Sequence, residues 1–323
     1  MISMETSFSL RTGFSGKGGT TMKVLITGGT GFVGTQLTSR LTRDGHNVTI
    51  LTRSAKKQGA NPPGVSYLAG DPKQKGPWQE AVKDLDVVVN LAGASIFNKW
   101  TEEYKKEIRD SRILTTRNIV EGIPPKAGGS VTLFSTSAVG YYGFCGDEER
   151  VEDSPPGTDF LARMAAEWEG EALKAREKGA RVVITRFGIV LGEKGGALGQ
   201  MVPMFKRFLG GPLGSGRQWF SWVHIKDLAE AFVFLMGHPE LSGPVNLTAP
   251  SPVRNSDLAK ALGKALHRPS FMPAPAFMIK LVLGEFGTVI LEGQRVIPKK
   301  LLNLGFKFQY PDIDQALRDV VKG

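Results

Sequence analysis

The stretch ITGGTGFVG, residues 26 to 34, constrains the fold of this chain more than any other. The residues before the glycines, KVLIT, are apolar and β-branched and read as a buried strand. The residues after them set Val33, Leu37 and Leu41 on one face of a helix. Gly28, Gly31 and Gly34 therefore form a G-x-x-G-x-x-G turn between strand and helix. A backbone without Cβ atoms can turn sharply there, and its N–H groups can approach an anion that the helix dipole also attracts. This predicts a dinucleotide pyrophosphate site built from Gly28, Thr30, Gly31, Phe32, Val33 and Gly34.

Further strands follow at regular spacing: NVTILTR, VSYLAG, DVVVNLAG, VTLFSTS and RVVITRFGIVLG. Each is apolar on both faces, and helical segments such as TEEYKKEIRDSRILTTRNIVEG and DFLARMAAEWEGEALKAREKG separate them. Strands buried on both faces and joined through helices make a parallel sheet covered on either side. The expected fold class is α/β, a Rossmann-type doubly wound parallel sheet with a small C-terminal lobe. The nucleotide-binding domain is read as residues 22–250. Beyond Pro250 a helix, the Pro-rich PSFMPAPAF and a closing helix near DIDQALRDVV form the lobe, residues 251–323, which contributes to the substrate cleft. The first 21 residues, rich in Ser, Thr and Gly with no apolar period, read as a disordered leader upstream of Met22.

The end of the second strand selects the dinucleotide. NAD sites place Asp or Glu about 20 residues after the glycines, to bond the ribose 2′-hydroxyl. Here Thr52 and Arg53 occupy that place, with Lys56 and Lys57 beyond. A carboxylate would repel a 2′-phosphate, whereas a guanidinium bonds it bidentately. NADP(H) is the expected cofactor, with Arg53 as its discriminator.

Composition narrows the partners. The chain carries 41 Lys and Arg against 31 Asp and Glu, a net charge of +10. These cations are dispersed over helices among acidic residues, as in TEEYKKEIRDSR, so a solvated basic surface is expected and a nucleic-acid partner is not. The apolar runs are too short to span a bilayer, and no membrane partner is expected. Cys145 is the only cysteine, which leaves no internal disulfide or cysteine-based metal site and points to a reducing, cytoplasmic setting. A small-molecule substrate is expected, and homodimerisation stays open.

The segments TGGTGFVG, NLAG, FSTSAVGYYG and FSWVHIKDLAEA occur in the order found in extended short-chain dehydrogenase/reductases of the nucleotide-sugar epimerase type. GGPLGSGRQWFSWVHIKDL, NLTAPSPVRN and LEGQRVIPKK narrow the resemblance to an atypical epimerase-like family with a small C-terminal domain of unknown function. The likeness spans residues 22 to 323. It implies that Leu91, Ala92 and Gly93 of NLAG lie beside the adenosine and ribose. It also implies that Glu107 and Arg112 face the cofactor from the next helix, and that Val190 approaches the nicotinamide. Read without it, Glu107 and Arg112 belong to an ordinary charged helix.

Working members of that superfamily pair a Ser or Thr at the end of the fifth strand with Tyr-x-x-x-Lys on the following helix. The hydroxyl positions a substrate oxygen, the tyrosine transfers the proton, and the lysine lowers the tyrosine pKa. Ser137 matches the serine. The helix that should supply the pair, DFLARMAAEWEGEA, has no tyrosine. Tyr67, Tyr104, Tyr141, Tyr142 and Tyr310 are followed four residues later by Asp71, Ile108, Cys145, Gly146 and Asp314. Tyr141 and Tyr142 are therefore candidate catalytic residues beside Ser137, with Arg163 and Glu167 as further options. His224 and Asp227 read as helix-start residues, and the aromatics of RQWFSW fit either a substrate cleft or the core. The expected activity is an NADP(H)-dependent, epimerase-like oxidoreductase. An NADPH-responsive regulatory protein without turnover is the alternative.

Overall fold

The computed structural model describes residues 20–54, 62–125, 131–193 and 195–322. The leader up to residue 19, Lys56 and Lys57 lie outside the described residues. Seven strands form the main sheet: β1 (Lys23–Thr27), β2 (Asn47–Thr52), β3 (Val65–Ala69), β4 (Val87–Asn90), β5 (Thr132–Ala138), β7 (Arg181–Phe187) and β11 (Gly243–Leu247). Their spatial order is β3-β2-β1-β4-β5-β7-β11, and every neighbouring pair is parallel. The chain leaves β1 in one direction through β2 and β3 and returns to its other side with β4. Ligand crevices of doubly wound sheets open at that reversal, outside the carboxyl ends of the strands.

Both sheet faces are buried, as the unbroken apolar runs require. Helices α1 (Phe32–Arg43) and α5 (Ile225–Met236) set Leu37, Leu41, Leu228 and Phe232 against Val24, Ile26, Phe134 and Val183. On the opposite face, α2 (Glu102–Gly122) and α3 (Phe160–Leu173) bring Ile119, Val120 and Ala172 onto Leu25, Val88, Leu133 and Val182. Side-chain acceptors fix where these two helices begin. Thr101 caps α2 through Tyr104 N–H, and Asp159 caps α3 through Ala162 N–H.

RVVITRFGIVLG, expected as a single strand, is two. After β7 the backbone changes partners, Gly188 N–H donating to Leu247 and Ile189 N–H to Ser221. The second part, β8 (Ile189–Leu191), pairs with β10 (Trp222–His224). Two further short pairs are β9 (Trp219–Phe220) with β12 (Val253–Arg254), and β6 (Glu149–Arg150) with β13 (Arg295–Val296).

The remaining helices are α4 (Gly196–Lys206), α6 (Asn255–Leu266), α7 (Ala276–Leu283), α8 (Glu285–Leu291), α9 (Lys299–Asn303) and α10 (Ile313–Val321). α4, α6 and α10 enclose a second core in which Leu198, Phe205, Leu258, Leu262 and Leu317 surround Trp222 and Phe220. Those two aromatics of RQWFSW are thus core residues. Trp219 instead faces outward, with Arg254 over its ring at 3.8 Å and its Nε1 donating to Asp147. The chain beyond Pro250 is stitched back into the large sheet, since Leu301 and Phe306 belong to the same core as α1 and α5.

His224 and Asp227 secure that return. His224 caps α5 by accepting from Lys226 N–H at Nδ1 and stacks on Tyr310 at 3.8 Å. Both Asp227 carboxylate oxygens accept backbone N–H groups, from Gln309 (2.8 Å) and Tyr310 (2.9 Å). Burial pushes the His224 pKa down to about 4, outweighing Asp319, whose carboxylate lies 3.2 Å from Nε2. Because the unfolded imidazole takes up its proton near pH ~6.5 and the folded one resists until about 4, stability is present above ~6.5 and is lost as pH falls through this window. Urea unfolding should register a loss of about 2–3 kcal/mol from this residue across the window. His224→Asn, which keeps a capping acceptor but does not titrate, should flatten that part of the slope.

Candidate functional site

The turn after β1 has the shape the glycine pattern predicts. Gly28 adopts φ +70°, and a Cβ there would lie 2.9 Å from the Leu91 carbonyl carbon at the end of β4. A Cβ on Gly34 would lie 2.3 Å from Gly28 O, so only glycine lets the first turn of α1 sit on the strand end. The helix starts at Gly31 without a side-chain cap and without an acidic residue in its first turn. Thr30 is exposed beside it. The N–H groups of Phe32, Val33 and Gly34 thus have no earlier helical carbonyl to bond, and the positive end of the helix dipole stays uncompensated. The Phe32 ring turns away and packs on the backbone of Gly192 and Gly195, leaving main chain facing the crevice. These features fit a dinucleotide pyrophosphate.

The neighbouring strand end completes the cradle. Leu91 N–H and Ala92 N–H donate to the main-chain and side-chain oxygens of Thr27 (3.1 and 3.3 Å). Thr27 in turn donates to Asn90, Asn90 to Thr116, and Trp168 Nε1 also donates to Thr116. This buried chain ties β1, β4, α2 and α3 together directly beneath the crevice.

Arg112 reaches across from α2, its Cζ 3.1 Å from where a Cβ on Gly93 would stand. Its Nη1 donates to the carbonyls of Ala94 and Ile108, and the guanidinium lies 5.3 Å from the Trp168 ring. Burial without a carboxylate partner lowers its pKa to about 10. Glu107 is exposed and pairs with Lys73 at 3.0 Å. Thr52 and Arg53 stand at the carboxyl end of β2, Arg53 exposed, and Val190 is on β8, half-buried against the α1–α5 core.

The three candidate catalytic hydroxyls have different fates. Ser137, 1 % exposed, donates to Glu169 Oε1 of α3 at 2.7 Å. The same carboxylate receives both Nε and Nη2 of Arg186, from β7, in a bidentate pair at 2.8 Å. Arg186, 2 % exposed, also donates through Nη1 to Tyr142 Oη (2.9 Å) and to the Glu152 carbonyl (3.0 Å). Tyr142 donates onward to Asn246 (2.7 Å), whose own N–H reaches the Glu152 carboxylate together with that of Lys300. Burial would lower the Arg186 pKa, but the bonds and charge of Glu169 hold it above the usual arginine value. Burial pushes Tyr142 up to about 12 against the opposing pull of Arg186, so its hydroxyl stays protonated. Burial likewise raises Glu152.

Tyr141 differs. It is half-buried, its ring lies under the Arg186 guanidinium at 3.5 Å, and its hydroxyl has no hydrogen-bond partner among the described residues. The other options are engaged: Glu167 pairs with Arg109, and Arg163 donates to the Thr158 carbonyl. Sequence reasoning missed Arg186, Glu169, Glu152 and Asn246. Arg186 and Glu169 had a signal, being charges set inside apolar runs, VVITRF and MAAEWEGEA.

The comparisons with known proteins fit this architecture. Residues 24–247 match the model of the NAD dependent epimerase/dehydratase family, and residues 274–320 match a domain of unknown function, DUF1731. The chain belongs to the NAD dependent epimerase/dehydratase family. Among its relatives are an Arabidopsis thaliana protein called "Epimerase family protein SDR39U1 homolog, chloroplastic" and an epimerase family protein of Staphylococcus epidermidis. The first is 44% identical over 93% of this chain and 87% of its own length, the second 40% over 93% and 99%. The crystal structure of human epimerase family protein SDR39U1 (isoform 2) with NADPH superimposes with a TM-score of 0.81 at 35% identity, covering 94% of this chain and all of that one. In this member of the epimerase/dehydratase family the serine-bearing strand is thus built into a buried ion pair. Removing one partner leaves the other charged and buried, so Glu169→Leu and Arg186→Met should each cost about 3–5 kcal/mol. The double variant, read by urea unfolding, should cost clearly less than their sum.

Proposed function

We propose that this chain is an NADP(H)-dependent, epimerase-like oxidoreductase acting on a small molecule that carries a carbonyl or alcohol, with Tyr141 as its proton-transfer group. The observation that carries the catalytic part is the free hydroxyl of Tyr141 beside two others committed to buried bonds. Tyr141 lies in the turn Val139–Tyr142 that leaves the carboxyl end of β5, the edge on which doubly wound folds bind their ligands. The Arg186 cation fixes its ring. Ser137 then acts by anchoring β5 to α3 rather than by touching substrate.

Bound NADP(H) would supply or accept the hydride. The backbone of Gly28, Gly31 and Gly34 would hold its pyrophosphate, and Leu91, Ala92, Gly93 and Arg112 would flank the adenosine half. Arg53 would hold the 2′-phosphate and Val190 would border the nicotinamide end. The NADPH in the human relative's structure supports this choice, as does the absence of an acid at the end of β2. Cys145, a free thiol, supports a reducing, cytoplasmic setting. A second reading, cofactor binding without turnover, is favoured by the Ser137–Glu169 bond and the missing Tyr-x-x-x-Lys pair.

Fluorescence titration should find NADPH bound more tightly than NADH. Arg53→Asp should weaken NADPH by about 10- to 100-fold and leave NADH nearly unchanged. Equal affinities in the wild type would overturn the cofactor assignment. Turnover is followed as NADPH absorbance loss, with product analysis for redox-neutral epimerisation, across carbonyl compounds and nucleotide sugars. Tyr141→Phe should lower it about 10²- to 10⁴-fold while NADPH binding is retained. Undiminished turnover removes Tyr141 from the reaction. Tight NADPH binding with no product from any compound establishes the second reading.

A further inference from the structure

The C-terminal lobe exposes several large apolar side chains on α7 and the segment before it. Of the eight residues of α7, AFMIKLVL, Ile279 is buried, whereas Phe277 and Leu281 are 71% and 79% exposed, with Val282 also open. The segment before it presents Phe271, 73% exposed. That segment runs beside the chain leaving α4. Met272 N–H donates to Gly210, Ala274 N–H to Pro212, and Gly214 N–H to Ala274. The exposed Phe208 and Leu209 immediately precede the paired Gly210, and the Arg268 guanidinium lies 4.9 Å from the Phe208 ring. Contiguous apolar surface with a polar rim marks an interaction face.

The rim identifies the partner. No acidic residue occurs between Glu193 and Asp227, or between Asp257 and Glu285, so both strips of chain that build this face carry cations alone. Lys206, Arg207, Arg268 and Lys280 are exposed there and form no ion pair with a described residue. A second copy of this face would bring two cationic rims together with nothing to neutralise them. A polyanion such as RNA would neutralise the rim and leave the apolar centre wet. An anionic bilayer surface meets both demands: headgroups neutralise the Lys and Arg, while Phe and Leu enter the acyl boundary. The long cationic side chains can reach back to the headgroups as the ring sinks.

We propose that α7 and the end of α4 dock this protein onto an anionic membrane surface without crossing it. Among the described residues no helix is long and apolar enough to cross a membrane. The sequence reading of no membrane partner rested on the length of apolar runs, which bears on spanning and not on surface docking.

The test is co-sedimentation of the full chain with vesicles of phosphatidylcholine alone and with about one third phosphatidylglycerol. Capture is expected on the anionic vesicles only, falling as salt is added. The Phe277→Asp, Leu281→Asp double variant should reduce it by roughly tenfold or more, and so should Arg268→Glu with Lys280→Glu. Far-ultraviolet circular dichroism checks that each variant is folded. In Phe277→Trp, which keeps an aromatic at the site, brominated lipid should quench the tryptophan emission of that position above the wild-type background. Absence of capture, equal capture on neutral vesicles, or capture unaffected in the folded variants overturns the proposal. So does a dimer, seen by analytical ultracentrifugation, that both Asp substitutions dissociate while vesicles capture nothing.

Discussion

The ion pair between Arg186 and Glu169 holds the centre of this molecule. A guanidinium and a carboxylate removed from water are tolerated only when their bonding capacity is met. Here the carboxylate takes two guanidinium N–H groups and the Ser137 hydroxyl, and the guanidinium also reaches Tyr142 and the Glu152 carbonyl. Through these bonds β5, β7, α3 and the turn that carries both tyrosines become one unit. The Glu152 carboxylate and Asn246 extend it to Lys300 and Ile297, so the C-terminal chain is fastened to the same centre.

That arrangement gives the three hydroxyls on β5 and the following turn different environments. Ser137 and Tyr142 bond within the buried network, while the hydroxyl of Tyr141, carried on the same turn, has no hydrogen-bond partner among the described residues. The crevice above β1 and β4 is supported independently, by the Thr27–Asn90–Thr116–Trp168 chain beneath it. The glycine crevice and the turn that carries the two tyrosines are thus held by different polar networks. The first joins β1 and β4 to α2 and α3, and the second runs from α3 through β5 and β7 to the chain beyond β11.

The parts of the fold legible in the residue order are those governed by local rules. Glycines serve the strand-to-helix turn because a positive φ at Gly28 and the close approach of Gly34 to Gly28 O exclude a Cβ at those positions. The apolar runs of β1, β4 and β7 are strands covered on both faces, whereas the edge strand β3 is only half-buried. The absence of acid beside Arg53 is equally local. RVVITRFGIVLG misled because its division depends on where β11 and β10 offer partners, and Gly188 at the break is the one local sign of it.

The glycine spacing, the strand periodicity and the missing Tyr-x-x-x-Lys pair could all be read from the chain, since each is a relation between residues close in sequence. Folding settled the rest. Ser137 meets a glutamate 32 residues away, and Tyr142 meets an asparagine 104 residues away. Burial then decides which hydroxyl is consumed and which stays available. The same holds for α7, whose apolar residues resemble core in sequence, yet the fold buries Ile279 and half-buries Leu283 while Phe277, Leu281 and Val282 face outward. Contacts and burial over such distances are properties of the packed chain, set by which surfaces its core leaves room to enclose.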